Sequence, residues 1–245
     1  DSSFAMLSTQ QSKQSRTASY LKNQVSINLA TLIGDQSIMN ETAMPQDTKL
    51  SDFLTKTAPY RMHAVEIFRF ALRLRSEWAE APPMEISVGD KLVVEGNLNA
   101  FTNPAIEAGV IHSRALLQFL GLCCRNNKLC NIKGRKDDDI GIEHFADKNG
   151  PLAIVSPDEA ISRYQGERIE AEKALLNIFR VANKGLAHIT QDFIDHPESG
   201  TLLDIASRGI PSLVISHLFT PLGLPAPNYK ISSRARTSCE SDVAI

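Results

Sequence analysis

One segment limits the folds open to this chain more than any other. On a helical wheel, residues 105–122 leave a single narrow polar stripe of Glu107, Arg114 and Gln118, on a surface otherwise apolar or small. That pattern predicts a central, largely buried helix. Asn103 supplies an N-cap and Pro104 suits the first helical position, so the helix is expected over 104–122. His112 lies on the apolar side, among Ala105, Gly109, Leu116 and Phe119, where an imidazole must find a hydrogen-bond partner. The expected partner is a backbone carbonyl or a neighbouring acid. Alternatively, His112 or Arg114 pairs with the acidic segment 137–143 and fixes it over the core. Glu107, His112 and Arg114 are therefore read as structural polar residues.

A second long helix is expected over 157–190. Ser156-Pro157-Asp158-Glu159 is a capping box with proline at the first helical position. Apolar residues recur at helical spacing from Ile161 to Ile189, with Gly166 and Gly185 as places for a kink. The second half presents Lys173, Asn177, Arg180, Lys184 and His188 at steps of four, three, four and four, a mostly cationic ladder on one face. A ladder of this kind is either a solvated face or a surface that holds phosphates. A His beside Arg or Lys also suits acid–base work on RNA. Arg180, Lys184 and His188 are accordingly the candidate catalytic residues, with Lys173, Asn177, Asn183 and Thr190 as candidate binding residues.

The rest of the chain is read more coarsely. Residues 1–20 are polar and expected to be disordered, and a weak apolar stretch follows from Leu21 to Ile33. Lys49–Thr57 is expected as a short helix ended by Pro59, and 60–80 as a helix stopped by Pro82-Pro83. Val65, Phe68 and Leu72 mark its apolar face; Glu66, Arg69, Arg73 and Glu77 line another side. The one β segment expected is a small hairpin between Met84 and Phe101. The connection 123–155 carries a basic block (Arg125, Lys128, Lys133, Arg135, Lys136) and then an acidic one (Asp137, Asp138, Asp139, Glu143). Two further helices, Thr201–Arg208 and Pro211–Phe219, are expected on either side of Gly209, with a loose tail over 226–245. The predicted class is all-α, mainly a helical bundle, with at most one short β-hairpin. Residues 21–225 are expected to form one helical domain.

Composition narrows function only a little. The net charge of -2 gives no global attraction to nucleic acid or acidic membrane, so any such contact needs a local patch. No run of about 18 apolar residues is seen, and a membrane partner is not expected. Cys123, Cys124, Cys130 and Cys239 are few and unevenly placed, which suits reduced thiols in the cytoplasm. Their spacing, with His144 alone, does not suit a zinc site, and no metal or other cofactor is expected. Phosphate-loop, dinucleotide, nucleophile-elbow and zincin signatures are absent, which argues against conventional ATPases, dehydrogenases and α/β-hydrolases.

Two segments carry a resemblance. Ile106–Leu120 (IEAGVIHSRALLQFL) and Arg180–Thr190 (RVANKGLAHIT), with Asp138-Asp139-Ile140 and His144-Phe145 between them, resemble uncharacterised bacterial helical proteins distantly similar to the HEPN superfamily. The resemblance implies a helical bundle, often a homodimer, that in some members cleaves RNA in defence or toxin–antitoxin systems. Active members place four to six residues between Arg and His. Here seven residues separate Arg180 from His188, and three separate Lys184 from it. The expectation is a non-catalytic helical interaction protein with a protein or RNA partner; the alternative is an RNA-binding protein or a metal-independent endoribonuclease.

Overall fold

A computed structural model describes residues 45–185 and 199–231. The chain divides into two units, 1–43 and 44–245, and every described residue belongs to the second. Several sequence expectations lie outside the described residues: the disorder of 1–20, the stretch Leu21–Ile33, Cys239, and the end of the tail. His188 and Thr190 lie outside them too.

Helix α1 (Pro45–Asp52) leads through a π-helical turn (Phe53–Thr57) directly into α2 (Ala58–Ser76). Pro59 therefore does not end a helix. Proline lacks an N–H and crowds the carbonyl four residues back, and the wider turn before it makes room for the ring. Met62, Val65, Phe68 and Ala71 of α2 are fully buried, one apolar stripe at helical spacing. Helix α3 (Asn99–Phe119) packs against that stripe, burying Val110, Leu116 and Leu117. Gly109 permits this approach, since a Cβ there would overlap Phe68. The helix begins before its expected cap and carries Pro104 internally, then stops short of residue 122. Gly121 ends it, with φ at +92 and Ile154 packed where a Cβ would stand.

The expected helix 157–190 is two helices, α4 (Pro157–Ser162) and α5 (Arg168–Arg180), followed by a π-helical turn, Val181–Gly185. The capping box forms as read: Ser156 Oγ accepts from the Glu159 amide at 3.2 Å, and Glu159 accepts from the Ser156 amide at 2.8 Å. The break comes where the Tyr164 ring occupies the space beside Gly166 and its hydroxyl donates to Glu170 at 2.6 Å. Conversely, the two short helices expected after residue 200 are one, α6 (Ser199–Val214), running through Gly209 and Pro211 into a π-helical turn, Ile215–Phe219. Ile210, Pro211 and Val214 are buried, so packing outweighs the local cost of glycine and proline. Among the described residues, Ser199–Phe219 alone is long and apolar enough to cross a membrane, a run that the sequence reading did not single out. Some 56% of its apolar window is buried inside the fold, where those residues form core.

The expectation of an all-α chain with at most one hairpin is overturned by six strands in three antiparallel pairs among the described residues, which make the fold mixed. Strands β1 (Pro83–Val88) and β2 (Lys91–Asn97) form the expected hairpin, with a bulge between Ile86 and Ser87. Strands β3 (Leu122–Arg125) and β4 (Lys128–Asn131) pair across Asn126-Asn127, and β5 (Ala146–Asp147) pairs with β6 (Gly150–Pro151). Both lie in the segment read as a loop. Asn126 and Asn127 have φ of 52 and 56, the left-handed pair of a type I′ turn.

That segment is clipped to the end of α3. Arg135 donates to the carbonyls of Gln118 at 2.9 Å and Phe119 at 2.8 Å, and grips Glu143 with two bonds of 2.7 and 3.1 Å. Burial works against the Glu143 charge, but the bonds and charge of Arg135 prevail and hold its carboxyl below the usual range. Phe53 stacks on Phe119 at 4.4 Å between ring centroids, and Phe145 meets both rings at a tilt, 5.7 and 5.9 Å away.

Candidate functional site

Between α2 and α6 lies an open cleft of about 920 Å³. Arg69, Leu72, Arg73 and Ser76 of α2 line it at steps of three, one and three, hence from one face of the helix, and Arg75 stands at its edge. Ser199, Gly200 and Thr201 line it from the first turn of α6, with Asp204 and Arg208 one and two turns further along. Four arginines thus face one carboxylate. That carboxylate is already engaged, Asp204 with Arg208 at 3.0 Å. Arg69 reaches Glu66 at 3.7 Å, beyond hydrogen-bonding range, and its Nε is buried without a hydrogen-bond partner among the described residues. Arg75 donates to the Asn103 side chain at 3.4 Å, and the Arg73 guanidinium lies 6.0 Å from the Phe70 ring centroid. Neither contact cancels charge. The arrangement suits an anion.

The predicted ladder meets this cleft at Ser199. Asn177 is only 4% exposed, and its amide donates to the Ser199 carbonyl at 3.3 Å and hydroxyl at 3.2 Å. Its Oδ1 accepts from Arg180 Nε at 3.2 Å and Nη2 at 2.7 Å. Asn177 and Arg180 are therefore brought together, as a support for the first turn of α6. Lys173 and Asn183 are exposed. Lys184 falls in the π-helical turn after α5, and with His188 outside the described residues the candidate triad is represented by Arg180.

The structural polar residues divide. His112 is half-buried, and its Nδ1 lies 3.2 Å from Arg61 Nη1 while Tyr60 meets its ring edge-on at 5.2 Å. Arg61 can only donate, so His112 accepts and is neutral; burial first, then the Arg61 charge, lowers its pKa. Among the described residues its hydrogen-bond partner is Arg61 rather than a carbonyl or an acid of 137–143, and Glu143 is engaged by Arg135. Arg114 is half-buried, with Nε enclosed and lacking a hydrogen-bond partner among the described residues; Glu107 is exposed. No group of three or more His, Cys, Asp or Glu converges as a metal site among the described residues.

Sequence reasoning had Arg69 and Arg73 on a polar side of α2, but Arg75 and the facing turn Ser199–Thr201 escaped it. The available signal was three arginines within seven residues with no acid among them. Fold and cleft together define a mixed, mainly helical protein with an arginine-lined cleft. Compared with protein-family models, curated proteins and solved structures, the chain finds no match.

Proposed function

We propose that this chain is a non-catalytic binding protein whose partner is RNA, held by its phosphates in the α2–α6 cleft. The observation that carries the reading is the charge balance there: four arginines line the cleft, and while Arg69 lies beside Glu66 and Arg208 beside Asp204, Arg73 and Arg75 have no carboxylate partner among the described residues. Arginine suits phosphate because its planar fork donates two bonds to one anion. The cleft is open rather than enclosed, as a chain passing through requires, and Lys173 lies exposed on the neighbouring α5. The overall charge of -2 makes the attraction local. The HEPN resemblance of 106–120 and 180–190 leans the same way, and its Arg-to-His spacing favours binding over cleavage.

The test is fluorescence anisotropy with a labelled single-stranded RNA across a salt series. Three to four phosphate contacts predict a slope of log affinity on log salt of roughly -2 to -3. Arg73→Glu with Arg75→Glu is expected to weaken binding at least about tenfold and to flatten the slope. Unchanged affinity in that variant would remove the cleft from the reading. RNA incubated with the protein in EDTA is expected to stay full-length; cleavage that His188→Ala abolishes would replace the binder with a nuclease.

A further inference from the structure

The β3–β4 hairpin holds two thiols face to face. The type I′ turn at Asn126-Asn127 fixes the register, and that register sets Cys123 directly opposite Cys130. Directly opposed residues of an antiparallel pair have Cα atoms about 4.5 to 5.5 Å apart. A disulfide needs roughly 4.4 to 6.8 Å. The two Sγ atoms lie 3.1 Å apart, and the Cys130 thiol also reaches the Cys123 carbonyl at 3.5 Å. The hairpin is not free to splay. Asn131 donates to the Gly121 and Val155 carbonyls at 3.1 and 2.8 Å, and the Ile132 amide donates to Gly121 at 3.0 Å. Cys124 is opposite Leu129 and belongs to the other face of the ribbon. All three cysteines are half-buried, so a small reagent can reach them.

We infer that Cys123 and Cys130 form a reversible redox site, oxidised by a low-molecular-weight disulfide to a bond across the hairpin. One of the two thiols loses its proton and attacks a sulfur of the reagent, expelling one small thiolate and leaving a mixed disulfide. The second thiolate, already in contact, attacks the protein sulfur of that bond and expels the other small thiolate. Two protein thiols are oxidised and one reagent disulfide is reduced to two thiols, which take up the two protons released. A small thiol in excess reverses both steps. Burial, then the hydrogen bond to Cys130, pushes the Cys123 thiol up to about 11, so mildly alkaline buffer speeds the exchange.

The experiment treats the full chain, fully reduced, with oxidised glutathione in mildly alkaline buffer and maps disulfides by mass spectrometry after non-reducing trypsin digestion. Trypsin cuts after Arg125 and Lys128, so a bridge appears as two joined peptides. Cys124→Ser is expected to give the same bridge as the parent chain, whereas Cys123→Ser and Cys130→Ser stop at a glutathione adduct. The oxidised parent chain is expected to melt about 4–8 °C above the reduced one, and reductant to return it. A bridge that survives Cys123→Ser would assign the bond to Cys124 and overturn the inference. So would a bridge to Cys239, a parent chain that ends with glutathione on each cysteine, or an oxidised form that melts no higher. Fragment-ion sequencing of the joined peptides separates Cys123 from Cys124 in the parent chain, whether or not the variants fold.

Discussion

At the scale of single residues, an expectation can be right about the need and wrong about the partner. His112 was expected to need a hydrogen bond because it lies on the apolar side of its helix, and it has one. The donor is Arg61, fifty-one residues earlier, which no local pattern announces. This has a consequence in pH. The folded-state pKa of His112 is lowered, so its contribution is fully present above the unfolded value of about 6.5 and is lost as pH falls through the lowered folded value. His217 behaves alike: burial first, then Arg163, lowers it. His112→Gln keeps an acceptor for Arg61 but cannot charge. Urea unfolding between about pH 7.5 and 5 should show the parent chain losing stability on acidification, with the slope reduced by about half in the variant. An unchanged slope would mean that folding does not lower the His112 pKa.

At the scale of elements, legibility followed how local the cause was. The capping box at Ser156 and the hairpin between Met84 and Phe101 are short-range chemistry, and both are where the sequence puts them. The break at Tyr164–Gly166 and the unbroken run through Gly209 and Pro211 depend on what packs against each segment, so propensity misjudged both. The hairpin at Asn126-Asn127 was missed because 123–155 was read by its charge blocks, and two asparagines tolerant of the left-handed region were not weighed as a turn. The charge blocks of 123–155 were visible, but not that Arg135 answers Glu143 while also capping the carbonyls of α3. Arg135 is 11% exposed and Glu143 33%, so the pair is only partly screened. Arg135→Met should cost about 2–4 kcal/mol, since it strands a carboxylate and two helix-end carbonyls. Glu143→Gln alone should cost less, and the double variant less than the sum of the two. Chemical denaturation of all four proteins gives the coupling, and strict additivity would show that the clip is not a unit.

At the scale of the whole molecule, the sequence conveyed a helical core but not the mixed class, because the four strands beyond the expected hairpin lie in a connection whose order comes from its attachment to α3. The site is legible in the same uneven way. Arg69 and Arg73 show as a polar side of one helix; the turn that faces them comes from a helix begun some 120 residues later, and only the packing of α2 against α6 joins them. Because the proposed ligand would bridge those two helices, binding should be read by global stability as well as by anisotropy. A ligand that binds only the folded state adds RT ln(1 + [L]/Kd), about 2.7 kcal/mol at a hundredfold excess over Kd, or roughly 5–10 °C in midpoint for a domain of this size. Thermal unfolding with single-stranded RNA at low salt should show that rise, and raising the salt should erase it by weakening phosphate contacts. Arg73→Glu with Arg75→Glu should show no rise at low salt while keeping the midpoint of the ligand-free chain within a few degrees, since both side chains are exposed and outside the core. An equal rise in that variant would place the ligand elsewhere on the molecule; a rise insensitive to salt would mean that phosphate is not what the protein holds.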